Sequence, residues 1–211
     1  MGRLRALSLA LSMATALVGW SLVSPRLPAV MRATLQAAVG AMLVRATGAP
    51  LGLGPPRLWA GVRLGSVAGA AAASAIAAAT AVPLVRLAMA EVEPPASVPG
   101  WLLLQIPVGT VWSEEAAFRA ALATAGSSAF GPFGGRLLQA TAFGLSHIAD
   151  ARATGEPVVA TVLVTGVAGW LFGWLADRSG SVAAPMLAHL AINEASAIAA
   201  LTVRRSSILR P

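Results

Sequence analysis

Long uncharged runs alternate along this chain with short polar breaks, and the runs set the reading. A hydrocarbon layer about 30 Å thick needs roughly 20 apolar residues of α-helix to cross it. Ala6 to Val23 is such a run, preceded by Arg3 and Arg5. It resembles a signal peptide in outline, but no small-x-small cleavage site stands directly before Pro25, which favours a retained first helix. Pro28 to Val44 is the second run, with Arg32 near its start placed to snorkel to the headgroups. Leu64 to Val85 is the third, rich in alanine, and its small side chains allow close helix packing. The stretch Glu91 to Gly100, with prolines at 94, 95 and 99, reads as a loop outside the membrane. Beyond it four further runs cover Pro99 to about Ala125, Phe133 to Ala149, Val158 to Ala176 and Ser181 to Val203. The pattern predicts an all-α, polytopic transmembrane bundle of seven helices, with eight as the alternative count.

Composition supports that class and removes others. With 57% hydrophobic residues, 11% charged and a mean hydropathy of +0.76, the chain carries more apolar surface than one water-soluble core of 211 residues buries. Disorder demands the opposite balance. All 15 basic residues are arginine and the net charge is +7, yet the arginines are scattered singly and form no stripe that tracks phosphates, so no nucleic-acid partner is expected. Juxtamembrane anchoring accounts for them. There is no cysteine, and hence no disulfide or thiolate chemistry.

Ionisable residues inside spans cost at least about 2.5 kcal/mol each, so each one asks for a partner or a function. They concentrate in the second half. WSEEAAFRAAL places Glu114, Glu115 and Arg119 in the fourth predicted helix, AFGLSHIAD places His147 at the end of the fifth, and MLAHLAINEAS places His189, Asn193 and Glu194 in the seventh. Residues four apart share a helix face, so Glu115 and Arg119 are set to pair and His189 and Asn193 to point to one place. Phe143 stands one turn below His147, where its ring packs against the imidazole. Glu114, about 100° around the helix from Glu115, is the carboxylate left without a cation at i+4.

These three clusters resemble the CPBP family of intramembrane proteases, the CAAX-prenyl endopeptidase and bacteriocin-processing group. Its signature is Glu-Glu-x-x-x-Arg, then Phe-x-x-x-His, then His-x-x-x-Asn, each on its own helix, and the chain carries all three in order between Trp101 and Ala197. The first hundred residues match only as generic membrane helices. Other membrane proteases fail on particular residues: there is no His-Glu-x-x-His, no Gly-x-Gly-Asp, and no Gly-x-Ser-x-Gly around Ser146. The resemblance implies catalytic roles for Glu114, His147, His189 and Asn193. A carboxylate in a membrane cavity serves as general base near neutral pH, which falls to Glu114. His147 holds the same water, and His189 with Asn193 donates hydrogen bonds to the oxyanion. Glu115 and Arg119 support Glu114, and Phe143 supports His147.

No cofactor is expected on this reading. A zinc mechanism is the competing one, with Glu114, His147 and His189 as ligands and one open position. Residues 1–90 then form N-terminal membrane helices, 91–100 a loop, 101–203 the catalytic helices and 204–211 a basic tail. The expected partners are membrane lipids and a membrane-associated peptide or protein substrate. The absence of lysine with abundant alanine, arginine and glycine points to a GC-rich bacterial genome, and so to a bacterial cell membrane. The runner-up is a non-proteolytic binding, immunity or transporter accessory protein on the same bundle.

Overall fold

A computed structural model describes residues 2–208, and among them every regular element is helical. Helix α1, Arg3–Val23, ends in a single 3-10 turn, Ser24–Arg26, around Pro25. Helix α2, Ala29–Thr47, starts behind Pro28 and stops at Gly48, whose φ of 62° is the left-handed value that ends helices. Helix α3 is Arg57–Ala79. The short α4, Pro83–Glu91, has its proline in the first turn, where a missing N–H leaves no bond unmade.

A continuous helical run over residues 98–130, α5, opens where the Ser97 hydroxyl accepts from the Gly100 N–H at 3.1 Å. It contains two π-wound stretches, Trp101–Trp112 and Glu115–Leu122. Pro107 lies inside the first and cannot supply an N–H to the regular ladder, an identifiable cause of irregular winding. Gly131, at φ 77° and ψ 171°, then turns the chain into α6, residues 132–146. After it come α7, Ile148–Thr154, α8, Val158–Ser179, and α9, Ala183–Ile208.

The seven long helices α1, α2, α3, α5, α6, α8 and α9 match the predicted number, with two short ones between them. Four stretches, Arg3–Arg26, Arg57–Ala79, Val158–Ser179 and Ala183–Ser206, are long and apolar enough to cross a bilayer on length and composition alone. Several predicted boundaries move. The third helix runs earlier than Leu64 to Val85, because Arg57 and Arg63 are tolerated in its first two turns and Pro83 starts a separate helix. The fifth stops at Ser146 instead of Ala149, since His147 leaves helical geometry at φ −89° and ψ 2°. Of the predicted basic tail, Arg204 and Arg205 continue α9, while residues 209–211 lie outside the described ones.

Packing is inverted relative to a water-soluble protein. On α8, Val159, Leu163, Val164, Val167 and Leu171 are all more than half exposed and form one outward stripe, the surface that acyl chains cover. Inward faces carry small residues. Helix α3 lies along α9 through Gly61, Gly65 and Gly69, and a Cβ on Gly65 would stand 2.6 Å from the Ala184 carbonyl oxygen. Backbones approach this closely only where side chains are absent. Helix α6 meets α8 in the same way through Gly144 and Gly169, α1 packs on α6, and α2 packs on α5.

Candidate active site

The three motif helices bring their polar residues to one place. Helix α5 supplies Glu114, Glu115 and Arg119, the α6–α7 junction supplies His147, and α9 supplies His189 and Asn193. Glu114, His147, His189 and Asn193 all line one cavity of about 350 Å³. Its opposite wall comes from α1 and α2, through Leu17, Trp20, Ser24, Arg32, Gln36, Val39 and Gly40.

Behind the cavity lies a fully buried charge cluster. The Glu115 carboxylate is shared by two donors: Arg119 Nε lies 3.2 Å from one oxygen and His189 Nδ1 lies 2.8 Å from the other. The side chains of Glu115 and Arg119 have no exposed surface. Because the angle at Arg119 Nε is poor for a hydrogen bond, that contact is an ion pair without directional bonding, and the two Nη atoms have no hydrogen-bond partner. Aromatic faces take their place. The guanidinium carbon stands 3.8 Å from the centroid of Phe143, 5.0 Å from Phe172 and 5.8 Å from Phe118, within reach of cation–π attraction.

Phe143 connects this cluster to the cavity. Its ring meets the His147 imidazole edge to face at a centroid separation of 4.7 Å and Phe118 at 5.3 Å. His147 Nδ1 lies 2.8 Å from the Phe143 carbonyl oxygen, which only accepts, so Nδ1–H donates there, and a neutral ring so held presents its lone pair on Nε2. His189 is oriented by the same logic: Nδ1–H donates to Glu115, and Nε2 turns toward Glu114 at 3.8 Å, stacked on Phe172. Asn193 donates to the His189 carbonyl at 3.1 Å, which holds its amide against its own helix and leaves the second amide hydrogen and the Oδ1 atom unassigned.

Among the described residues no three His, Cys, Asp or Glu side chains are grouped to hold a metal ion. His189 Nε2 lies 3.8 Å from Glu114, and the Nδ1 atoms of His147 and His189 are bonded to protein oxygens, which leaves both Nε2 atoms facing away from those bonds.

Sequence reasoning missed the α1–α2 wall. Arg32, read from the sequence only as able to reach the headgroups, also lines the cavity with Gln36, four residues on. Two long polar side chains at i and i+4 in the first half of a largely apolar helix were a legible signal. Trp20, Ser24 and Asp150 also face the cavity, and no spacing in the sequence pointed to them.

Fold and site together define a membrane-embedded helical bundle whose three motif helices hold Glu114, Glu115, His147, His189 and Asn193 around and behind a cavity. Residues 96–195, just under half of the chain, match the family model of the Rce1-like type II CAAX prenyl endopeptidases, so over that segment the chain is similar to this family of membrane proteases. The matched segment begins just before α5 and ends within α9, and so contains all three motifs. No curated protein and no solved structure matches the chain.

Proposed function

We propose that the protein is an intramembrane endopeptidase that hydrolyses a peptide bond of a membrane-associated peptide or protein with a water activated by Glu114 and His147. The observation that supports this most is the convergence of Glu114, His147, His189 and Asn193, from three separate helices, on one cavity. In this mechanism the substrate carbonyl enters between α2 and the motif helices. Glu114 takes a proton from the water as its oxygen attacks the carbonyl carbon, and the Nε2 lone pair of His147 holds the water in line. The carbonyl π electrons move to oxygen, and His189 and Asn193 donate hydrogen bonds to the oxyanion. Since His189 Nδ1–H is directed to Glu115, donation from Nε2 requires the imidazolium form, which Glu114 and Glu115 flank. As the tetrahedral intermediate collapses, the C–N bond breaks and the proton held by Glu114 passes to the departing amine.

The reading is metal-independent. It is a reading of a bacterial membrane enzyme whose substrate is a secreted-peptide precursor or membrane-anchored factor. Purified protein in detergent should cleave a peptide pool, and Glu114→Gln and His147→Ala should each abolish cleavage while the helical circular-dichroism signal stays. Continued turnover in both variants would remove the catalytic assignment. Complete loss with a chelator and recovery on adding zinc would replace the metal-independent mechanism.

A further inference from the structure

The wall of the cavity facing the catalytic residues carries a cation without a counter-charge. Arg32, Gln36, Val39 and Gly40 recur at helical spacing and form the face of α2 that lines the cavity. Arg32 is half-buried there, and among the described residues no carboxylate lies within 4.0 Å of its guanidinium. The two acids that line the cavity, Glu114 and Asp150, stand on α5 and α7. On α1, at the same cavity, the Trp20 indole Nε1 is buried with no hydrogen-bond partner, so this wall holds an orphan donor as well as an orphan charge. Gln36 adds a carboxamide one turn further along α2.

A donor-only group is the complement of an acceptor-only one. An unpaired arginine within a membrane bundle is costly and is normally answered by a partner. The planar guanidinium fork fits a carboxylate in two parallel bonds, which gives orientation as well as affinity. We infer that Arg32, with Gln36 and Trp20, forms a subsite that binds a carboxylate of the substrate peptide, either its free C-terminus or an acidic side chain near the scissile bond. The inference rests on the endopeptidase reading for its place in a reaction, but not for binding. It also assigns a role to the first part of the chain, since α1 and α2 lie outside the segment that matches the protease family. In this arrangement the catalytic machinery comes from α5, α6 and α9, and selection among substrates comes from α1 and α2.

Binding is measured on full-length Glu114→Gln protein in detergent, so that no peptide is consumed. The probe is a pool of synthetic apolar peptides, each made as the free acid and as the C-terminal carboxamide, with Glu or Gln in the last three positions. Retained peptides are quantified by mass spectrometry. Peptides bearing a carboxylate should be retained about 10-fold over their neutral counterparts, the discrimination expected of one charge-assisted pair. Arg32→Ala and Arg32→Gln should erase the preference, and Arg32→Lys should keep part of it. Preference for free acids regardless of Glu identifies the C-terminal carboxylate, and preference for Glu in amidated peptides identifies a side chain. Equal retention of charged and neutral peptides, no retention at all, or a preference that survives Arg32→Gln in monodisperse protein overturns the subsite. The same pool offered to protein with Glu114 intact reads cleavage separately. Selective retention without cleavage removes the endopeptidase reading and leaves the subsite, whereas cleavage blind to carboxylates does the reverse.

Discussion

Helix α9 has two working faces, and they are held in different ways. One face packs Ala184, Leu187 and Ala191 onto the glycines of α3. The other carries His189 and Asn193 toward α5 and the cavity. In lipid the hydrophobic effect does not favour one apolar helix surface over another, so the first face is held by close van der Waals contact that depends on missing side chains. The second is held by charge, with one carboxylate shared between a guanidinium and an imidazole and aromatic rings around the cation. The first face tolerates no added volume, and the second tolerates no removed charge.

The largest effect should come from removing a charge. Arg119→Ala leaves Glu115 buried with only His189 as partner, and breaking a buried pair costs about 3–5 kcal/mol. Thermal unfolding in detergent and the yield of monodisperse protein should both fall. The double variant Arg119→Ala with Glu115→Gln should regain part of the loss. A single variant that folds normally but binds substrate weakly would move Arg119 from the support of Glu115 to substrate recognition.

Next comes the glycine face. Gly65→Leu forces α3 away from α9, because even a Cβ there meets the backbone of Ala184, and overpacking of this kind costs about 1–3 kcal/mol. Gly65→Ala should lower the unfolding temperature less. An unchanged unfolding temperature for the leucine variant would show that the two helices do not depend on their close approach.

A smaller change tests the link between the two regions of charge. Phe143→Leu keeps much of the volume but removes the ring that faces Arg119 and His147, and the lost cation–π attraction is worth about 0.5–2 kcal/mol. Turnover should fall by more than stability does, since the ring also orients His147. Equal losses in both would make Phe143 a packing residue only. Smallest of all, Val67→Leu, on the 70% exposed outer side of α3, should shift stability by no more than about 0.5 kcal/mol. It shares a helix with Gly65, so a large effect there would break the contrast between inner and outer faces.

Much of this was legible in the chain because each signal is local. The need for internally satisfied backbone in lipid leaves helices as the solution for a chain of long apolar runs. The Glu115–Arg119 pair and the Phe143–His147 contact follow from a spacing of four on one helix. What went astray was also physical. Arg57 and Arg63 broke an apolar window without breaking a helix, so α3 was placed too late. The place of Arg32 on the cavity was not legible either, because it depends on its surroundings on neighbouring helices.

By itself, then, the sequence determined the class of the fold, the approximate order of its helices and the motif residues of the matched family segment, because periodicity and composition act within one helix at a time. Tertiary structure alone decided that Glu115 is shared between Arg119 and His189, that His189 presents Nε2 to Glu114, and that α1 and α2 close the cavity with Trp20, Arg32 and Gln36. Those contacts join helices far apart along the chain, such as Glu115 and His189, 74 residues apart. Which faces meet is set by the close approach of small residues over the whole bundle, a condition that no single stretch of residues contains.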